Sequence, residues 1–181
     1  MTGDPEHRRG PRDVADAATA TPSTSEGERH DAVSDTRGQQ PPRQSLRAWL
    51  IDAMHAGDRL AVTIVEQRFT GTVDEVGDDL LALRAIFGRV DLHLLAGIPL
   101  HIELVEHAAI GGHGGGTGRS FAAVLAARDP DGDTSVGTVS HPDGLDGQVT
   151  AGSDFVITTA RAGAVTVIPL AQVAWVCDRR T

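Results

Sequence analysis

Between Ser45 and Cys177 the apolar residues recur first at helical spacing and then at every second position, and this succession occurs twice. Leu46, Trp49, Leu50, Ala53 and Met54 fall at i, i+3, i+4, i+7 and i+8, the apolar stripe of an amphipathic helix. Ser45 is placed to accept from a first-turn amide, and Gly57 is placed to stop the helix in the left-handed conformation. Period two follows: Leu60, Val62 and Ile64; then Phe69, Gly71 and Val73; Leu81 and Leu83; Val90, Leu92 and Leu94; and Ile98, Leu100 and Ile102. These alternations predict five short strands joined by tight turns. One helix cannot cover a flat five-stranded sheet, so a strongly bent, partly closed barrel is the expected shape. Gly71 falls in the middle of a strand, where the missing side chain permits a sharp bend.

The same order returns about 75 residues later. Ser45-Leu46 corresponds to Ser120-Phe121, Trp49-Leu50 to Val124-Leu125, and Gly57-Asp58 to Gly132-Asp133. Gly71-x-Val73 corresponds to Gly147-x-Val149, Gly77-Asp78-Asp79-Leu80 to Gly152-Ser153-Asp154-Phe155, and Gly88–Leu92 to Gly163–Val167. Trp175 then matches Leu100. Alternation with Val173 and Cys177 turns Trp175 inward, and Trp49 lies on the helix stripe, so both tryptophans are read as core residues. The second helix must end before Pro130. The predicted fold is therefore mainly β, with units at 45–106 and 120–178 separated by a Gly-rich linker at 107–119. Residues 1–44 are rich in Pro, Gly, Ser, Thr and mixed charges and are expected to be a disordered tail, and 179–181 a short C-terminal tail.

Phe69-x-Gly71-x-Val73-x-x-Val76-Gly77-x-Asp79-Leu80-x-Ala82-Leu83 resembles the Sm-like fold, a helix followed by five strands. Gly147-x-Val149-x-x-Gly152-x-Asp154-Phe155-Val156-Ile157 repeats the pattern, and Ile168-Pro169-Leu170-x-x-Val173 resembles the closing strands of such barrels. The chain is also similar to actinobacterial proteins with this layout. The resemblance covers nearly all of 45–178. It implies two tandem Sm-like barrels, assembly through edge strands and RNA binding at the loops. The Arg-bearing positions Arg84, Arg89 and Arg161 are the first candidates for nucleic-acid contact. The sequence departs from a basic RNA-binding pattern at the acidic tip Gly77-Asp78-Asp79, and no pair of stacking aromatic and basic loop is repeated in both units.

Charge weakens the nucleic-acid expectation. The formal net charge is −9, and residues 45–181 carry 17 acidic against 10 basic side chains, whereas nonspecific nucleic-acid affinity requires cations that displace counterions. Every basic residue is Arg, which fits the codon bias of a high-GC genome. Only 3% of residues are aromatic, so stacking platforms are scarce. The single Cys177 lies in the apolar run Val173–Cys177 and reads as a small buried hydrophobe. There is no 18-residue apolar run and no signal-peptide pattern, so no membrane association and a cytoplasmic location are expected.

No catalytic or metal constellation emerges, and no cofactor is expected. Gly112–Ser120 resembles a phosphate loop only loosely, with His113 where Gly is required and Arg119 in place of Lys. Asp129-Pro130-Asp131-Gly132-Asp133 begins like a calcium loop, but its Gly falls too early and Ser140 stands where the bidentate Glu belongs. His93, His101 and His107, with Asp91 and Glu103 nearby, occupy the polar alternates of apolar strands and are expected to face solvent. The function expected is that of a non-enzymatic interaction protein, working through a protein partner or through self-association by barrel edge strands. Nucleic-acid binding through the Arg-bearing loops and small-molecule binding in a cleft between the units are the alternatives.

Overall fold

A computed structural model of the protein describes residues 44–108, 111 and 116–178. Residues 1–43, 109–110, 112–115 and 179–181 lie outside the described residues, and so do the expectations for the N-terminal tail, for much of the Gly-rich linker, and for the C-terminal tail. The chain is mainly β. Helix α1 (Leu46–Ala56) precedes β1 (Arg59–Ile64), β2 (Gln67–Val76), β3 (Leu80–Ala85), β4 (Gly88–His93) and β5 (Leu100–Glu106). Helix α2 (Phe121–Ala126) precedes β6 (Thr134–Thr138), β7 (Leu145–Ala151), β8 (Phe155–Thr159), β9 (Val165–Pro169), a 3-10 turn (Leu170–Gln172) and β10 (Val173–Asp178).

Both helices start at a serine. Ser45 Oγ accepts from Ala48 N at 3.1 Å, and Ser120 Oγ accepts from Ala123 N at 3.2 Å. Gly57 ends α1 at φ 77°, a conformation that disfavours a side chain. Leu50, Ala53 and Met54 of the α1 stripe are buried, and Trp49 packs half-buried against the same cluster.

The strands form one open antiparallel sheet in the order β5-β1-β2-β3-β4-β10-β6-β7-β8-β9. The order within each repeat is the same: fifth, first, second, third, fourth. The sequence predicts two separate five-stranded units; here the sheet is continuous, because β10 pairs with β6 of its own repeat and also with β4 of the first. Across that second pairing Trp175 lies opposite Leu92, Val176 opposite Asp91 and Cys177 opposite Val90.

Gly71 and Gly147 explain how adjacent strands come close. A Cβ on Gly71 would strike the carbonyl of Arg84, and one on Gly147 the carbonyl of Thr159. Turn geometry repeats too: Gly77 N donates to Leu80 O and Gly152 N to Phe155 O, while Leu94 N donates to Asp79 O and Leu170 N to Asp154 O. These ladders correct the detailed alignment of the repeats. Val62 faces Ile102 on β5, and Val136 faces Val176 on β10. Gly71 pairs with β1 at Leu60, and Gly147 with β6 at Thr134. Trp175 therefore stands where His101 stands in the first repeat, one position away from the Leu100 match that the sequence period suggests. In the other direction, Leu81 faces Leu92 whereas Val156 faces Ile168, because the β8–β9 turn is one residue longer. Ile168 is thus the counterpart of Leu92, Val167 of Asp91, and Pro169 of His93.

Two apolar clusters lie along the sheet, and both contain residues from each repeat. The first joins α1 and β1–β4 to Ala174, Trp175 and Cys177 of β10; the second joins α2 and β6–β9 to Leu80 of β3. Strand β10 is apolar on both faces because both are covered. Trp175, 4% exposed, makes an edge contact with Phe69 at 5.2 Å between ring centroids, and its indole lies on Gly137, whose absent side chain leaves the room. Replacing Gly137 by Ala forces the Cβ into the indole. We expect a loss of about 1–3 kcal/mol, read as a lower urea midpoint at an unchanged slope.

Candidate functional site: the junction between the repeats

The polar alternates of β4 lie beneath α2 and beside β10. Asp91 is 1% exposed and His93 3%, against the solvent-facing positions expected from the sequence. The physical reason is non-local: once β10 closes the open side of β4 and α2 covers its polar face, no position on β4 beyond Arg89 reaches water. His101 and His107 differ, at 68% and 77% side-chain exposure; His101 contacts Glu103, and His107 contacts Asp58.

The buried carboxylates are met by arginines. Arg89 Nε donates to Asp91 at 2.7 Å, while its two terminal nitrogens reach Asp74 at 3.1 Å and Glu75 at 2.7 Å. Arg128, just beyond α2, pairs with both Asp91 and Asp178. Glu75 further accepts from the Thr117 hydroxyl at 2.7 Å and faces Arg119 at 3.5 Å. Burial pushes the Glu75 carboxyl up, but its bonds to Arg89 and Thr117 and the nearby arginine charges outweigh that and hold it below the ordinary range. Arg89, despite desolvation, is held above its usual value by the Glu75 and Asp91 carboxylates. An open cleft of about 420 Å³ runs over this network, lined by Arg89, Arg119 and Arg128 together with Asp91, Asp129 and Asp178. Each of those arginines already has a carboxylate partner.

His93 is the second feature of the junction. Its ring stacks on Phe121 of α2 at 4.3 Å and 7° between planes. Nδ1 lies 2.9 Å from Val173 O on β10, which requires Nδ1 to carry the proton, and Nε2 lies 3.4 Å from Asp79. Asp79 in turn accepts from Phe121 N at 2.6 Å, at the start of α2. One histidine thus touches β10, α2 and the β2–β3 turn. Burial lowers its pKa, against the opposing pull of the Val173 carbonyl and Asp79.

The sequence candidates fall on different parts of the molecule. Arg84 and Arg89 are opposite one another on β3 and β4 and share Asp74. Arg161, in the β8–β9 turn, is 78% exposed and bonds Asp133 at 2.6 Å, away from the other two. Ser45, Trp49, Gly71, Ser120, Gly147 and Trp175 occupy the helix starts, strand contacts and core described above. Glu75, Arg128 and the His93–Phe121 stack were not singled out from the sequence, and Arg119 was read only as standing in place of Lys in a loose likeness to a phosphate loop. A signal was present: at the period of the repeat, β4 carries Arg89, Asp91 and His93 where the second repeat carries Ala164, Thr166 and Ile168. Among the described residues, no group of three His, Cys, Asp or Glu side chains is placed to hold a metal ion, and no helix is long and apolar enough to cross a membrane.

Comparison with protein-family models, with curated proteins and with solved structures returned no match.

Two outcomes follow from the junction. Arg128→Met leaves Asp91 with a single partner in a buried site, and we expect a loss of about 3–5 kcal/mol in urea unfolding. For His93 the folded pKa lies below the ordinary 6.5. Its contribution is therefore fully present above pH 6.5 and lost as the pH falls below that value toward the folded pKa. Unfolding measured through a pH series should show wild-type stability dropping below pH 6.5, above the carboxylate range, and His93→Gln should flatten that part of the profile.

Proposed function

We propose that the chain is a non-enzymatic interaction protein built from two fused Sm-like units, whose open sheet edges take up a strand from a partner. The observation that carries this reading is the β4–β10 pairing. It joins the repeats edge to edge and, among the described residues, leaves β5 and β9 with one neighbour each. An unpaired edge strand presents backbone donors and acceptors to an incoming strand. The repeated strand order, fifth-first-second-third-fourth, and the glycines at Gly71 and Gly147 support the Sm-like reading, in which each unit bends toward a small barrel.

The junction favours this reading over the other two. Arg84, Arg89 and Arg161 are each engaged by carboxylates, so a nucleic-acid phosphate would have to displace Asp74, Glu75 or Asp133. A small ligand in the cleft would meet charges that already neutralise one another. Pull-down by the full chain from its native cell, with and without nuclease, tests the proposal. Protein capture that survives nuclease and is lost when β5 or β9 carries a new charge is expected. Salt-sensitive retention of nucleic acid as the sole bound species would overturn it.

A further inference from the structure

We infer that two copies of this chain associate end to end through the first repeat, the Ile86 tip of each copy entering a shallow apolar cavity beside Val65 of the other. The contact lies apart from the sheet edges, so the inference goes beyond the strand-capture reading and does not rest on it.

Two turns carry residues that the fold does not require. Ile86 and Phe87 form the turn between β3 and β4, beyond the pairing of Ala85 with Gly88. Turns of this length favour Asn, Asp and Gly. Ile86 is instead 97% exposed, and Phe87 is 46% exposed with its ring 6.4 Å from that of Phe69. Phe87 is thereby anchored on the core, while Ile86 projects from it. The corresponding turn of the second repeat carries Arg161 and Ala162, so the strand order itself does not need an apolar tip. Val65 and Glu66 form the turn between β1 and β2, with φ of 46° and 69°. A β-branched residue is strained in that conformation, which Gly and Asn adopt freely. Such strain persists where the surrounding structure holds the residue in place. Val65 packs against the first apolar cluster and, with Pro99 and Leu100, walls a cavity of about 170 Å³. Small-molecule sites start at roughly 300 Å³, so this cavity suits one side chain rather than a ligand.

The ladders put tip and cavity at one end of the first repeat. Ile64 pairs with both Gln67 and Leu100, which brings the Val65–Glu66 turn beside the start of β5. Gly71 pairs with Ala85, so the β3–β4 turn lies along β2 toward Phe69 and Gln67. Each turn is fixed by its own ladder, and Ile86 does not fill the cavity of its own chain, since it is exposed.

Charge matches the tip to the cavity of a second copy. Arg84, two positions before Ile86, is 73% exposed even while it holds Asp74. Glu66, on the cavity rim, is exposed and forms no ion pair among the described residues. An apolar tip flanked by arginine thus faces an apolar cavity rimmed by glutamate. A two-fold axis sets Ile86 and Arg84 of one copy against the cavity and Glu66 of the other, and the reverse. The contact is then made twice and closes at two copies.

Light scattering of the full chain through a dilution series tests this. Wild type is expected to move between 19.0 kDa and about twice that mass, and no further. Ile86→Asn removes the tip, and Glu66→Arg sets like charge against Arg84; each is expected to weaken dimerisation about tenfold or more. Both positions are exposed, so thermal unfolding in dilute solution verifies that the variants fold. Val165→Glu, on the β9 edge, is expected to dimerise as wild type does. A wild type that stays at the mass of one chain at every concentration overturns the inference, and so does one that grows past two copies. A dimer that survives both Ile86→Asn and Glu66→Arg overturns it as well. If Val165→Glu alone abolishes association, the contact runs through the sheet edge: the inference falls and the strand-capture reading stands.

Discussion

Strand β10 hydrogen-bonds to β6 on one side and to β4 on the other, and most of the tertiary structure follows from that double engagement. It makes the sheet continuous. It sends Ala174, Trp175 and Cys177 into one apolar cluster and Val173 and Val176 into the other. It converts β4 from an edge into an interior strand, which is why a strand with Arg, Asp and His at alternate positions ends with Asp91 and His93 out of water.

Burying charge in this way is unfavourable unless every partner is present. The junction meets the condition with arginines from both repeats: Arg89 from β4, and Arg128 and Arg119 from either end of α2. A buried network of this kind adds little net stability over well-packed apolar residues, but removing one partner is costly. The same logic separates the inner junction from the outer edges, where the corresponding positions are valine and leucine.

The junction also bears on what the protein does. Its arginines are neutralised by the carboxylates they hold in place, and Cys177 is buried, so the surface at the cleft offers paired charge to a ligand. What stands open among the described residues is the backbone of β5 and β9, with Leu104, Val165 and Val167 exposed beside His101 and Glu103. Chemistry of that kind recognises an extended chain through main-chain hydrogen bonds and alternate side-chain pockets.

The two helices and ten strands were legible in the sequence because their signals are local: a serine before an apolar stripe, a glycine after it, and period-two alternation between turns. The duplication was legible for the same reason. Its register was not. A connection one residue shorter before β6, and a turn one residue longer before β9, shift the strands in opposite directions, and only the hydrogen-bond ladders reveal that Trp175 replaces His101 rather than Leu100. The candidate arginines could be named from the sequence, but most of their carboxylate partners could not, because Asp74, Glu75 and Asp133 reach them across strands or between elements. By itself the sequence determined which residues form helix or strand and that the pattern occurs twice, since both depend on neighbours a few positions away. Only the tertiary structure decided that β4 and β10 pair, and hence that Asp91 and His93 are buried, because that contact joins residues more than eighty positions apart.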